Sequence, residues 1–174
     1  MAGATPLRRK IAILGFRGVG KSSLARQLAE ERFEEEYEPT IVDTIEKELE
    51  VSGVMFSLHI VDTAGQDDFS RIPKEACLGV HGYVLVYDVS SPYSLERMRG
   101  INDRLLEALG VESVPRVLVG NKSDVAGKEL VPEEDGRKLA REFGCPFLQS
   151  SARLDEHVTE AFELLLYEIE KGNS

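Results

Sequence analysis

Residues 11–22 read Ile11-Ala12-Ile13-Leu14-Gly15-Phe16-Arg17-Gly18-Val19-Gly20-Lys21-Ser22, and this segment gives the strongest indication of the fold. Its apolar start predicts a buried strand, and the glycine-rich loop that follows leads into a helical pattern carried by Leu24, Ala25 and Leu28. The loop matches G-x-x-x-x-G-K-[ST], whose glycines let backbone N–H groups surround phosphates at a helix N-terminus. We expect Lys21 to contact the β- and γ-phosphates and the Ser22 hydroxyl to ligate Mg²⁺. A glycine-rich turn without a ligand is the alternative, which the strand before and the helix after make less favourable. The phosphate contacts are expected from Gly18, Val19, Gly20, Lys21, Ser22 and Ser23.

Short apolar runs alternate with helical patterns along the rest of the chain. The strands are expected around residues 45–51, 56–60, 82–87, 114–119 and 147–148, with Ser52-Gly53 as the turn of a hairpin between the first two. Helices are expected from Leu95 to Leu109, after Pro132, and over residues 158–169. This order predicts an α/β fold, with a mostly parallel six-stranded sheet, helices on both faces and one antiparallel edge. Ligands of such sheets bind at the carboxyl ends of the strands.

Composition narrows the class of protein. The 174 residues suit one domain, and their net charge of −10 argues against binding nucleic acid. We find no repeat or linker, no secretory signal and no apolar run of about 18 residues that would span a bilayer. Cys77 and Cys145 have no metal-ligand spacing, which favours a reducing, cytosolic setting. The dense acids of residues 30–38 are either a solvated face or a docking surface for a basic partner.

Three further motifs follow predicted strands. Asp62-Thr63-Ala64-Gly65 fits D-x-x-G, where the carboxylate supports Mg²⁺ and the Gly65 amide senses the γ-phosphate, although Asp124-Val125-Ala126-Gly127 fits the same pattern. Asn121-Lys122-Ser123-Asp124 fits N-K-x-D, whose carboxylate can accept two hydrogen bonds from guanine but finds no such pair on adenine. A polar strand-to-loop turn is the alternative for that motif. Ser150-Ser151-Ala152-Arg153 adds an amide, from Ala152, that could donate to the guanine O6.

The order of these motifs resembles that of the Ras superfamily of small GTPases. The resemblance implies the P-loop NTPase small-GTPase (G domain) fold over residues 10–171, with residues 1–9 as an N-terminal extension and 172–174 as a tail. It implies a GTP/GDP switch that hydrolyses GTP slowly with Mg²⁺. It further implies that Phe33 lies against guanine, that Thr40 binds Mg²⁺ and the γ-phosphate, and that Gln66 orients the attacking water.

Within the superfamily the chain is most similar to the Rheb branch, because of the Phe16-Arg17 pair and the run from Gly82 to Tyr87. Arg17 stands where most Ras relatives have glycine, and it either crowds an incoming arginine finger and tilts the water or is an exposed bystander. The Rheb resemblance suggests that Tyr37 shields the γ-phosphate and that Gln66 is less productive than in Ras. Arg153 replaces the usual lysine of its motif.

The family also implies protein partners. Effectors are expected at the stretch from Tyr37 to Thr44 and in the region from Gly65 to Ile72, together with a GTPase-activating protein and an exchange factor. The last four residues contain no cysteine, so a prenylation box is absent from this sequence. Either the sequence is trimmed or the protein lacks that anchor. We therefore expect a cytoplasmic protein that contacts the cytosolic face of membranes only if a lipidated tail is missing here.

Two other functions keep part of these motifs. A nucleotide-locked scaffold without catalysis would retain every binding residue, and only a hydrolysis assay separates it from a GTPase. A P-loop ATPase or small-molecule kinase would share the first motif, but the segment ending in Asp124 argues against it.

Overall fold

The computed structural model describes residues 5–16, 28, 42–63, 71–121, 131–151 and 157–172. Leu28 is helical and buried, and the other described residues provide one sheet and three helices. The strands are β1 (Leu7–Gly15), β2 (Val42–Val51), β3 (Val54–Thr63), β4 (Gly82–Asp88), β5 (Arg116–Asn121) and β6 (Phe147–Ser150). The helices are α1 (Pro92–Leu109), α2 (Glu133–Phe143) and α3 (Val158–Gly172), and a 3-10 turn covers Lys74–Ala76.

The six strands form one sheet in the order β2-β3-β1-β4-β5-β6. Only the β2–β3 pair is antiparallel, and every other neighbouring pair is parallel. Ser52 and Gly53 make the β2–β3 turn with positive φ angles of 51° and 80°, the left-handed backbone that two-residue hairpins require. The predicted sheet, with its hairpin edge, is therefore confirmed.

Alternate residues of the central strands belong to two hydrophobic clusters, one on each face of the sheet. On one face, Ile11 and Ile13 of β1 pack in the same cluster as Phe162 and Leu165 of α3. On the other face, the cluster contains residues of β1, α1 and α2, namely Ala12, Leu14, Met98, Ile101 and Leu139. Helices therefore cover both faces, as the alternating pattern predicts.

Gly82 shows how closely α3 approaches the sheet. A Cβ atom at this position would lie 2.8 Å from Cδ1 of Ile169 and 2.9 Å from Cδ1 of Leu165. The glycine at the start of β4 therefore lets the terminal helix pack directly on the strand.

The boundaries of several elements differ from the prediction; α1, for example, begins at Pro92 and not at Leu95. The β5 ladder begins at Arg116, paired with Tyr83, and not at Val114. Pro115 has no N–H to donate, and its carbonyl accepts one hydrogen bond from the Tyr83 N–H at 3.0 Å. Gly172 is the last residue of α3, whereas the sequence pattern predicts that it lies just beyond the end of the helix. In the described ranges, no helix combines the length and the apolar character needed to cross a bilayer.

Candidate nucleotide-binding site

Five parallel strands, β3, β1, β4, β5 and β6, bring their carboxyl ends to one edge of the sheet. Gly15 of β1 pairs with Val86 of β4, close to the end of that strand. Asp88 of β4 pairs with Asn121 of β5, and Asn121 pairs in turn with Ser150 of β6. The motifs that follow β1, β5 and β6 therefore begin at the same edge of the sheet.

Buried polar side chains concentrate at this edge. The described residues contain eight buried polar or charged side chains, and five of them stand at or next to these strand ends: Asp62, Thr63, Asn121, Ser150 and Ser151. Burying a polar group costs about 1–3 kcal/mol unless it finds a hydrogen-bonding or charged partner. Such a concentration is typical of a binding site and not of a packing face.

Asp62 lies next to the strand that leads into the phosphate-loop motif. It pairs with Ile13 of β1, and its side chain is buried with only 2% exposure. The hydroxyl of the following residue, Thr63, donates a buried 2.9 Å hydrogen bond to the Ile13 carbonyl. This bond fixes the end of β3 against β1, two residues before Gly15. The buried carboxylate of Asp62, beside this bond, offers the hard oxygen atoms that Mg²⁺ prefers as ligands.

Asn121 and the serines after it occupy the opposite part of the edge. Asn121 is buried, and its backbone carbonyl accepts a 3.0 Å hydrogen bond from the Val89 N–H. Ser150 and Ser151 are also buried, and among the described residues nothing hydrogen-bonds the Ser150 hydroxyl. A buried hydroxyl at a strand end without such a partner can hydrogen-bond a polar ligand or a neighbouring loop.

Tyr87 supports the strand that carries Asn121. It is fully buried on β4, and a Cβ atom at Gly120 would lie 2.7 Å from its hydroxyl oxygen. Burial raises the pKa of Tyr87, with Asp135 and Glu133 adding to the effect, so the hydroxyl stays neutral. Gly120 is therefore the residue that lets β5 lie against this ring immediately before Asn121.

The turn from β4 to α1 is a hydrogen-bonded unit that the sequence analysis missed. Asp88 Oδ1 accepts from the Ser90 N–H at 2.8 Å and from the Ser90 hydroxyl at 2.7 Å. The Ser94 hydroxyl oxygen accepts from the Asp88 N–H at 2.9 Å and donates to the Ser91 carbonyl at 2.8 Å. Ser91 caps α1 by accepting from the Ser94 N–H at 3.2 Å. Serine followed by proline before a helical pattern is the signal that could have identified this cap.

The predicted site residues divide into two groups. Asp62, Asn121 and Ser151 are described, and all three lie at the predicted edge. The remaining predicted residues lie outside the described ranges: Arg17, Gly18, Val19, Gly20, Lys21, Ser22, Ser23, Phe33, Tyr37, Thr40, Gly65, Gln66, Lys122, Asp124, Ala152 and Arg153. Their roles stay predictions.

Comparison with known proteins gives the family. The model of the Ras family matches residues 10–171. The chain is 46% identical over 172 residues to the small monomeric GTPase RhbA of Aspergillus fumigatus, covering 98% of this chain and 92% of the relative. It is 47% identical over 163 residues to the GTP-binding protein rhb1 of Schizosaccharomyces pombe, covering 94% and 88%. It is 42% identical over 163 residues to the human GTP-binding protein Rheb, covering 94% and 89%. With the site at the carboxyl edge of its six-stranded sheet, the chain belongs to the Ras family of small GTPases, within the Rheb branch.

Proposed function

We propose that this chain is a GTP/GDP switch in growth signalling that binds its nucleotide with Mg²⁺ at the carboxyl edge of the sheet. The observation that carries the proposal is the buried carboxylate of Asp62, fixed beside the strand that leads into the phosphate-loop motif. Family membership supplies GTP as the substrate, and the similarity to Rheb proteins supports the growth-signalling role.

The phosphate-loop residues hold the triphosphate. Backbone N–H groups of the loop, from Gly18 to Ser23, surround the phosphates, and Lys21 adds a positive charge near the β- and γ-phosphates. Because these donors are in place before the reaction, they stabilise the charge that develops on the γ-phosphoryl group at little reorganisation cost.

Three oxygen ligands would hold Mg²⁺. They are the hydroxyls of Ser22 and Thr40 and the carboxylate of Asp62, which acts directly or through water. The buried carboxylate at the end of β3 fits this role, since Mg²⁺ is held in phosphate sites by one or two carboxylates together with substrate oxygens. When bound, the ion neutralises charge on the β- and γ-phosphates.

The base is recognised at the ends of β5 and β6. Asp124 accepts hydrogen bonds from guanine, Asn121 and Lys122 frame it, and Phe33 lies against its face. The segment of Ser151, Ala152 and Arg153 completes the pocket, with the Ala152 amide directed to the O6 atom. The proposal is supported by the register that places Asn121 beside Ser150.

We expect slow hydrolysis by the protein alone, because the sequence shows no evident arginine finger in cis to add to positioning and electrostatics. Gln66 orients the attacking water, and Arg17 either hinders that arrangement, hinders an incoming arginine finger, or is an exposed bystander. We expect turnover on the order of 10⁻⁴ s⁻¹ for the protein alone, as in Ras, and acceleration by a GTPase-activating protein. Loss of the γ-phosphate then releases Thr40 and the Gly65 region, which is the change that a partner detects.

Protein partners bind the segments whose conformation depends on whether GTP or GDP is bound. We propose effector contacts from Tyr37 to Thr44 and from Gly65 to Ile72, with an exchange factor to release GDP. The protein acts in the cytoplasm, on the cytosolic face of membranes if its native tail carries a lipid.

The experiment that tests the proposal replaces the buried carboxylate. We expect Asp62→Asn to remove most of the Mg²⁺ dependence of nucleotide release, because the amide keeps the shape and loses the charge. The measurement is the release rate of fluorescent GDP with Mg²⁺ and with EDTA. Asp103→Asn, at an exposed position on α1, is the matched control and should behave as wild type. An unchanged ratio of the two rates in Asp62→Asn would reject the assignment.

A further inference from the structure

An aromatic contact joins the start of the phosphate-loop motif to helix α1. Phe16 is the first residue after β1, and its ring meets that of Tyr93 with a centroid distance of 5.3 Å and an interplanar angle of 83°. This is the edge-to-face geometry that aromatic pairs favour. Neither motif analysis nor family membership gives Tyr93 a role.

We propose that Tyr93 is a positioning residue for the phosphate loop and that it acts through Phe16 to slow nucleotide release. The proposal rests on the proposed function in one respect, namely that the loop after Phe16 binds the phosphates. Its remaining steps depend only on the described residues Phe16, Tyr93 and Arg97 and on the turn that carries them.

The position of Tyr93 is fixed by the hydrogen-bonded start of α1. It is the second residue of α1, and the helix start is held by the hydrogen bonds among Asp88, Ser91 and Ser94 described above. Asp88 is itself the last residue of β4, the strand that pairs with β1 up to Gly15. The two ends of the Phe16–Tyr93 contact are therefore anchored in neighbouring strands of the same sheet.

Arg97 holds the tyrosine ring from its own helix. The guanidinium carbon of Arg97 lies 4.8 Å from the centroid of the Tyr93 ring, a cation–π contact. Tyr93 and Arg97 are separated by four residues and so lie on one face of α1. Tyr93 thus contacts an arginine of its own helix and a phenylalanine from the loop.

The position of the Tyr93 ring is not explained by burial in the core. Tyr93 is 48% exposed, whereas Phe16 packs against the core cluster that contains Ile11 and Ile13. Removing Tyr93 should therefore have little effect on the folded core. It should instead remove the edge-to-face contact that orients the Phe16 ring on the core, at the start of a loop whose N–H groups must converge on phosphate.

The primary test is the release rate of fluorescent GDP and of a non-hydrolysable GTP analogue from Tyr93→Ala. We expect both rates to rise about 3- to 10-fold, the factor that corresponds to losing one aromatic pair. Tyr93→Phe keeps the ring pair and should restore the slow release. Tyr167→Ala removes an exposed tyrosine on α3 and should release nucleotide as wild type does.

A double-mutant cycle with Phe16→Leu separates positioning from a general loss of stability. If the contact acts as proposed, Tyr93→Ala has little further effect on release in the Phe16→Leu background. Additive effects would overturn the proposal. So would a release rate of Tyr93→Ala equal to that of wild type, or a lowered melting temperature without faster release.

These outcomes are distinct from failure of the proposed function. A wild-type protein that retained no guanine nucleotide would reject the phosphate loop itself. A wild type that binds nucleotide tightly, with Tyr93→Ala releasing it equally slowly, would reject only the role of Tyr93.

Discussion

Arg116 is a buried cation whose described hydrogen-bond partners are all neutral. The residue is 3% exposed, and burial lowers the pKa of its guanidinium. Its Nε donates to the Val114 carbonyl at 3.0 Å, and its Nη2 donates to the Phe143 carbonyl at 2.9 Å. Its Nη1 donates to the Asn102 side-chain oxygen. Arg116 thereby joins the start of β5 to α1 and to the end of α2.

The size of a mutational effect follows from which acceptors lose their donor. In Arg116→Ala, the buried Asn102 oxygen and the Phe143 carbonyl both lose their hydrogen-bond donor. Each loss lowers the free energy of unfolding by about 1–3 kcal/mol. With the lost packing of the side-chain stem, we expect a destabilisation of about 3–5 kcal/mol. Arg116→Met keeps the packing of the side-chain stem but leaves the same two acceptors without a donor, so we expect a destabilisation of about 2–4 kcal/mol.

Removing both partners is the sharper test. In the double variant Arg116→Met, Asn102→Leu no buried charge and no side-chain acceptor remains, and of the two acceptors only the Phe143 carbonyl lacks its donor, so the destabilisation should fall to about 1–3 kcal/mol. The assay is urea unfolding at a fixed excess of GDP and Mg²⁺, since bound ligand adds to the apparent stability. A double variant as unstable as Arg116→Ala would refute this reasoning, because packing and not hydrogen bonding would then dominate.

Four further substitutions or modifications test the site and its surroundings. Asp124→Asn should shift the base preference from guanine towards xanthine nucleotides, and unchanged GTP preference in a competition assay would reject the base assignment. Ser22→Asn should weaken Mg²⁺·GTP binding more than GDP binding, so equal losses by calorimetry would count against the metal role. Arg17→Gly should alter the single-turnover rate of intrinsic hydrolysis, and an unaltered rate would make Arg17 a bystander. Burial raises the pKa of Cys145 to about 11, so its thiolate forms only as the pH approaches that value. In Cys77→Ser, alkylation at pH 8 should thus be about 100-fold slower than for a free cysteine, as followed by mass spectrometry, and a free-cysteine rate would show an exposed thiol.

The elements with strong local signals were predictable from sequence. Alternating apolar residues and the Ser52-Gly53 turn predicted the β2–β3 hairpin, and the unbroken apolar run from Gly82 predicted β4. The prediction of the terminal helix rests on apolar residues at helical spacing, such as Val158, Phe162 and Ile169, all of which are buried. In each case the signal lies within a few neighbouring residues.

The features that were missed depend on contacts between distant parts of the chain. Phe16 and Tyr93 meet only because β1 and β4 are neighbours in the sheet, and nothing in either local sequence indicates the pairing. Arg116 looks like a break in an apolar strand, and its burial depends on Asn102 and on the Phe143 carbonyl. Periodicity identifies which face of an element is apolar, but it does not identify its partner.

The sequence predicted the part of the candidate site whose motifs lie at the ends of strands. Asp62, Asn121 and Ser151 lie at the edge where parallel strands were expected to place them. The Asp88–Ser94 turn was not predicted, because the apolar pattern placed the start of the helix at Leu95 and the Ser91-Pro92 cap signal before it was overlooked.

The most direct test of the central claim is the identity and fate of the nucleotide bound to the freshly purified protein. Nucleotide released by denaturation is identified by chromatography and mass spectrometry, and the protein is then reloaded with GTP and supplied with Mg²⁺. We predict close to one guanine nucleotide per chain and slow conversion of GTP to GDP and phosphate, which stops when Mg²⁺ is chelated. A chain that carries no nucleotide and takes up neither GDP nor GTP with Mg²⁺ present would contradict the account.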